Sequence, residues 1–222
     1  MSSSREQIFD NIRRGLNRDS LEGEALEVVK HRLASHPSST IPSRSDLPQE
    51  QQVKLFEEMA IEAAAELIKL EQYSQVPEAV AKFMRDESLK HLVSATSTEL
   101  TELDWSALDD CQIEHREALA GDIASLTSSF AGIAETGTLM LLSGSQSPTT
   151  LNFLPDIHLV VLEAKNIVGP YEAAWQKLRE THEAMPRSVN MITGPSRSAD
   201  IEQKLQMGAH GPKRLVIFLI GA

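Results

Sequence analysis

Apolar positions along the chain recur with two periods, and their alternation predicts the elements of the fold. Over residues 50–70, Val53, Phe56, Ala60, Ala63, Leu67 and Leu70 step by three and four, which predicts one long amphipathic helix. Ala79, Val80, Phe83 and Met84 predict another behind Pro77, placed in the first turn where its missing N–H costs nothing. Residues 91–95, HLVSA, read as a strand, and the polar stretch 98–110, with Trp105 as its one large anchor, reads as a loop leading to a short strand over 112–115. Residues 118–128 are expected to form a short helix. Two short apolar runs, 130–134 and 138–142, flank the turn Glu135-Thr136-Gly137 and predict a hairpin or a bent strand pair.

Residues 143–150, SGSQSPTT, form a small-residue loop expected to open a short helix carrying Leu151, Phe153 and Leu154. Residues 158–162, HLVVL, have no polar alternation, as expected for a strand buried on both faces of a parallel sheet. Gly169-Pro170 opens a helix through Ala173, Ala174, Trp175 and Leu178. A strand over 189–192, a loop over 193–200 and a helix over 201–207 follow, the helix stopped by Gly208. His210-Gly211-Pro212 then turns the chain into a final strand over 215–220. Residues 50–222 therefore read as an α/β domain with a mainly parallel sheet flanked by helices.

The first 35 residues are different. Ser4 with Gln7 matches a capping box, and Ile8, Ile12 and Leu16 continue at helical spacing, as do Leu21, Ala25, Leu26, Val29 and Leu33. This predicts an N-terminal helical arm with one apolar face, which must pack on its own domain or on another chain. Pro37, Pro42 and Pro48 among serines mark residues 36–49 as an exposed linker.

Charge and composition narrow the function. The net charge of −11 disfavours nucleic acid and anionic membranes as partners. Residues 1–111 carry 12 Lys/Arg against 21 Asp/Glu, and residues 112–222 carry 9 against 11, so the second half is nearly neutral. No apolar run approaches the roughly 20 residues of a membrane span, and the first residues lack the apolar core of a secretory signal, so a cytoplasmic location is expected. The single cysteine, Cys111, excludes an internal disulfide, and an iron–sulfur cluster needs about four thiolates. No cofactor is expected on this chain alone, and the scattered histidines give no metal-site spacing.

Two loops have the composition of a ligand site. In Thr193-Gly194-Pro195-Ser196-Arg197-Ser198-Ala199-Asp200, a glycine permits close approach, the hydroxyls cap a helix start and Arg197 adds a fixed charge. Read for chemistry, Gly194, Ser196, Arg197 and Ser198 form an anion site; read for structure, they form a well-capped connection whose Asp200 would repel an anion. The turn Glu135-Thr136-Gly137-Thr138 offers a carboxylate and two hydroxyls, with Glu135 the candidate for proton transfer or a turn carboxylate held by backbone amides. His210, between Ala209 and Gly211, is the second proton-transfer candidate or a solvated turn residue.

Four blocks carry a resemblance: AGIAETGTL at 131–139, LPDIH at 154–158, TGPSRSADIE at 193–202 and GAHGP at 208–212. Together they resemble the lactate-utilization protein C family, built on the LUD domain. The family's motif usually has threonine where this chain has Ser198, which keeps the hydroxyl. The resemblance implies a fold similar to the ribose-5-phosphate isomerase, CoA-transferase and formyltetrahydrofolate cyclo-ligase group. It also implies a subunit of a system oxidising L-lactate to pyruvate, with iron–sulfur clusters on partner proteins and a small anionic ligand. A stand-alone enzyme on a phosphorylated or nucleotide-linked substrate, and a non-catalytic assembly subunit, are the alternatives; fold relatives run unrelated reactions, so the catalytic residues stay open.

Overall fold

The computed structural model describes residues 3–37, 40–199, 205–208 and 210–222, which fall into two compact units, 1–40 and 41–222. In the first unit, helices α1 (Ser4–Gly15) and α2 (Gly23–Ser35) follow the predicted stripes. The capping box lies one residue earlier than expected: Ser3 Oγ accepts from the Glu6 N–H and Glu6 Oε2 accepts from the Ser3 N–H. Ile8, Ile12 and Leu16 of the apolar face are exposed.

The second unit begins at Ile41, inside the stretch expected to be a linker. A single 3-10 turn, Ser43–Ser45, buries Ser45, whose carbonyl lies so near Gly169 that a Cβ there would approach to 2.0 Å. The unit continues with α3 (Gln49–Glu62), β1 (Glu66–Leu70), α4 (Val76–Asp86), β2 (His91–Ser94), the one-turn α5 (Thr98–Thr101) and β3 (Gln112–His115). Next come β4 (Ala124–Ser128), β5 (Ala131–Ile133), β6 (Thr138–Leu142), the one-turn α6 (Thr150–Phe153), β7 (Ile157–Glu163) and β8 (Ile167–Val168). The last elements are α7 (Tyr171–Thr181), β9 (Val189–Ile192), β10 (Arg197–Ala199), β11 (Leu205–Met207) and β12 (Arg214–Ile220).

Six strands form a wholly parallel sheet in the order β1-β12-β7-β4-β2-β3. Its side chains alternate between two cores, as the two-residue period of a strand requires. Ile157, Leu159 and Val161 of β7 with Val216, Phe218 and Ile220 of β12 pack against Val80, Phe83 and Met84 of α4. Val160 and Leu162 with Ile217 and Leu219 face the other way, against Phe56 and Ala60 of α3 and Leu139 and Leu141 of β6. A second, four-stranded sheet in the order β8-β5-β6-β9 lies there, and its far face packs Ile133 and Met140 on Ala174 and Leu178 of α7.

Three expected helices are corrected. The helix predicted to reach residue 70 stops at Glu62, because the chain closes a Schellman motif: Ala65 N–H donates to Ala60 O and Ala64 N–H to Ile61 O. Ala64 takes the left-handed position at φ +68, and the chain leaves as β1 to pair with β12. The segment expected to be helical over 118–128 contains β4, whose Ser125 and Thr127 are buried and hydrogen-bonded, to Leu151 O and to His158. Of the helix expected over 201–207, residues 205–207 form β11, antiparallel to β10, while 201–204 lie outside the described residues. Of the four-stranded sheet, the sequence reading anticipates only the β5–β6 pair: β9 pairs antiparallel with β6 rather than joining the parallel sheet.

Candidate functional site

The structure brings the two expected loops together at the end of α3. The β5–β6 turn puts Gly137 at φ +63, where a Cβ would lie 2.3 Å from Ala60 N, and Gly194 at φ +67 would place one 2.0 Å from Ala63 O. Both glycines are therefore required for close packing on one helix terminus. Arg197 Nη2 donates to Ala63 O, the carbonyl at the C-cap, where a cation complements the helix dipole. Between the loops, four hydroxyls satisfy one another: Thr136 and Thr138 share a hydrogen bond of 2.7 Å, Tyr171 Oη lies 2.9 and 3.0 Å from them, and Thr138 meets Thr193 at 2.6 Å.

The remaining expected residues are more dispersed. Glu135 is mostly buried, its N–H donating to Gly169 O and its carboxylate 3.3 Å from Arg44. Ser196 donates its N–H to Pro212 O and accepts at its carbonyl from Gly208, which joins the 193–197 and 208–212 segments. His210 is exposed on the second of these. Ser198 pairs through its backbone with Gln206, and its side chain lies outside the described part.

A second group of polar residues gathers at the carboxyl ends of the parallel strands, where open α/β sheets bind ligands. Tyr73 follows β1, Ser97 and Glu99 follow β2, Ser128 and Ser129 end β4, Glu163 ends β7 and Asn166 follows it. Lys177 reaches in from α7. Two adjoining hollows of about 270 and 360 Å³ share Glu99, Ser128, Ser129 and Phe130 as lining. Ser128 Oγ donates to Glu99 Oε1. Lys177 Nζ donates to Asn166 Oδ1 at 2.8 Å and reaches Phe130 O at 3.5 Å, with the Phe130 ring 5.2 Å away. Tyr73 Oη and Ser97 Oγ are buried with no hydrogen-bond partner among the described residues.

The electrostatics follow from that enclosure. Burial pushes the Lys177 ammonium below its ordinary range, partly opposed by Glu163. Burial first, then the charges of Glu99 and Glu163, push the Tyr73 phenol up, so it stays a neutral O–H at physiological pH. The sequence reading missed this cleft because its residues come from five separate segments with no shared spacing. The available signal was Ser128-Ser129 at the end of Ala124–Ser128: read as a strand, that segment points its hydroxyls to the ligand side of the sheet.

Comparison with known proteins gives the family. The chain is 32% identical over 145 residues to an uncharacterized protein of Neisseria meningitidis serogroup B, covering 60% of this chain and 62% of that protein. It is 39% identical over 88 residues to lactate utilization protein C of Anoxybacillus flavithermus, covering 40% and 39%, and 36% identical over 98 residues to lactate utilization protein C of a Geobacillus species, covering 43% and 41%. The matched part thus spans about three fifths of the first relative's length and about two fifths of the other two. Among solved structures, the crystal structure of a DUF162 family protein from Deinococcus radiodurans superposes with a TM-score of 0.57 at 21% identity, covering 79% of this chain and 99% of that one, and supports the fold. The LUD domain model matches residues 52–220, nearly the whole of the second unit, and the chain therefore belongs to the LUD domain family.

Proposed function

We propose that the chain is a cytoplasmic subunit of a system that oxidises L-lactate to pyruvate, working with iron–sulfur partner proteins that take the two electrons. The observation that carries this reading is the similarity, at 34–39% identity, to several proteins named lactate utilization protein C. The division of labour suits the chain's chemistry: its one thiol, Cys111, is half-buried and pushed up by burial, so the chain itself lacks the thiolate set of a cluster. The strand-end cleft supplies what a small organic acid requires, an ammonium beside hydroxyls and a carboxylate. An anion at the Gly194 loop would have to share the Arg197 guanidinium with Ala63 O. Glu135 and His210 remain the proton-transfer candidates on that side of the molecule.

The test is genetic and biochemical. A strain lacking the chain should stop growing on L-lactate while still growing on pyruvate, and the tagged chain should bring down iron-containing partners from its native host. Normal growth on L-lactate in the deletion strain would overturn the proposal.

A further inference from the structure

The Lys177 ammonium is half-buried, yet its partners among the described residues are neutral: an amide oxygen, a backbone carbonyl and an aromatic face. Among the described residues no carboxylate forms a salt bridge with it. Glu163, whose charge acts on Lys177, is bridged to Lys165 at 2.7 Å, and Glu99 accepts from Ser128 Oγ. A partly desolvated cation without a counter-ion is costly, and an anion entering the cleft would remove that cost. Tyr73 lines the same hollow and Ser97 the adjoining one, and the hydroxyl of each is buried with no hydrogen-bond partner among the described residues.

We propose that this strand-end cleft is a binding site for a small monocarboxylate carrying a hydroxyl or carbonyl oxygen next to its carboxylate, with Lys177 anchoring the carboxylate and the Glu99–Ser128 pair and Tyr73 receiving the adjacent oxygen. This deepens the lactate reading and rests on it only for the choice of L-lactate and pyruvate as first probes. Charge selects the class of ligand. One uncompensated ammonium faces a space also lined by Glu99 and Glu163, so a single negative charge is matched, whereas a phosphate dianion would meet two carboxylates with one cation. The lining supplies partners for the second oxygen. A ligand hydroxyl can donate to the Glu99 carboxylate while accepting from Tyr73, and a ligand carbonyl can accept from Tyr73 or from Ser128. The hollows, about 270 and 360 Å³, are at the small end of ligand cavities, as a compact acid requires.

The test is calorimetric titration of the full chain with L-lactate, pyruvate, glycolate, propionate and inorganic phosphate, with thermal unfolding as the check on folding. Lactate, pyruvate or glycolate should bind more tightly than propionate, which lacks the second oxygen, and phosphate should not compete. Lys177→Met should weaken binding about 10- to 150-fold, the value of a charge-assisted hydrogen bond, and Lys177→Arg should recover part of it. Asn166→Asp, nearly isosteric, puts a carboxylate on the ammonium and should weaken binding even if Lys177→Met fails to fold. Glu99→Gln should shrink the preference for lactate over propionate.

Absence of binding by every carboxylate at millimolar concentration, unchanged affinity in both the Lys177 and Asn166 variants, or tighter binding of phosphate would each overturn the site. Binding of glycolate but not of lactate or pyruvate would uphold the site and count against the lactate reading. A growth defect on lactate without any carboxylate binding would uphold that reading and sink the site.

Discussion

Replacing Gly194 with alanine tests whether the motif around it is there to pack a helix end. At φ +67 an L side chain costs about 1 to 2 kcal/mol before any contact is considered. The added Cβ would lie 2.0 Å from Ala63 O, far inside the roughly 3.3 Å of a close carbon–oxygen contact. That oxygen belongs to the backbone of a helix end held by the Schellman bonds, so relief requires the loop and α3 to separate, an overpacking cost of about 1 to 3 kcal/mol. The stiffer unfolded chain returns less than about 1 kcal/mol. The net expectation is a loss of about 2 to 4 kcal/mol, which with an m-value of about 2 kcal/mol/M moves a urea midpoint down by about 1 to 2 M. Unfolding would be followed by tryptophan fluorescence and circular dichroism, with Gly144→Ala as the control. A Cβ at Gly144 meets nothing within 4 Å, so that variant should stay within about 0.5 kcal/mol of the parent. A Gly194→Ala protein as stable as the control would refute the packing argument and return the glycine to a ligand role.

Two further changes test neighbouring claims. Ala64→Gly relieves a left-handed alanine at an exposed position and should gain about 0.5 to 1 kcal/mol by the same urea assay, whereas a loss would mean that the Schellman turn is misplaced. His158 is wholly buried, and burial depresses its imidazole to about 3 from an ordinary value near 6.5. The unfolded chain therefore binds the extra proton first: stability from this group is complete above about pH 6.5 and falls as pH drops toward 3, by at most about 1.4 kcal/mol per pH unit. The difference between the pH–stability curves of the parent and of His158→Gln isolates it, and parallel curves would show that His158 is not buried neutral.

Legibility in the sequence varied with how local the determining physics is. β7 and β12 announce themselves as unbroken apolar runs, and the β5–β6 hairpin is signalled by Gly137 between two such runs, because burial on both faces and a tight turn are written into neighbouring residues. The end of α3 is not legible in this way. Ala63, Ala64 and Ala65 are strong helix formers, and what stops the helix is the pairing of Glu66 with Val216 and the docking of Gly194 and Arg197, contacts made far along the chain. β4 was hidden by its serines and threonine, which read as surface residues and are instead satisfied by Leu151 O and His158. The two candidate loops could be picked out by composition, but that they meet, Thr138 against Thr193, is a product of the fold. No motif or spacing in the sequence marks Lys177, and only the fold brings it to the strand ends.

The position of β12 also sets the order in which the molecule can be assembled. It lies between β1 and β7, so neither of those strands finds its neighbour on that side until the chain has been made as far as residue 214. Until then β1 has no partner in the parallel sheet, and one edge of β7 is an apolar template open to any other extended segment. Closing the gap means inserting a strand between two others across long sequence separations, which makes the final step slow and leaves the intermediate prone to aggregation. Synthesis of this protein should accordingly depend on holding chaperones, and mild heating that frees β12 should lead to aggregation before the helices melt.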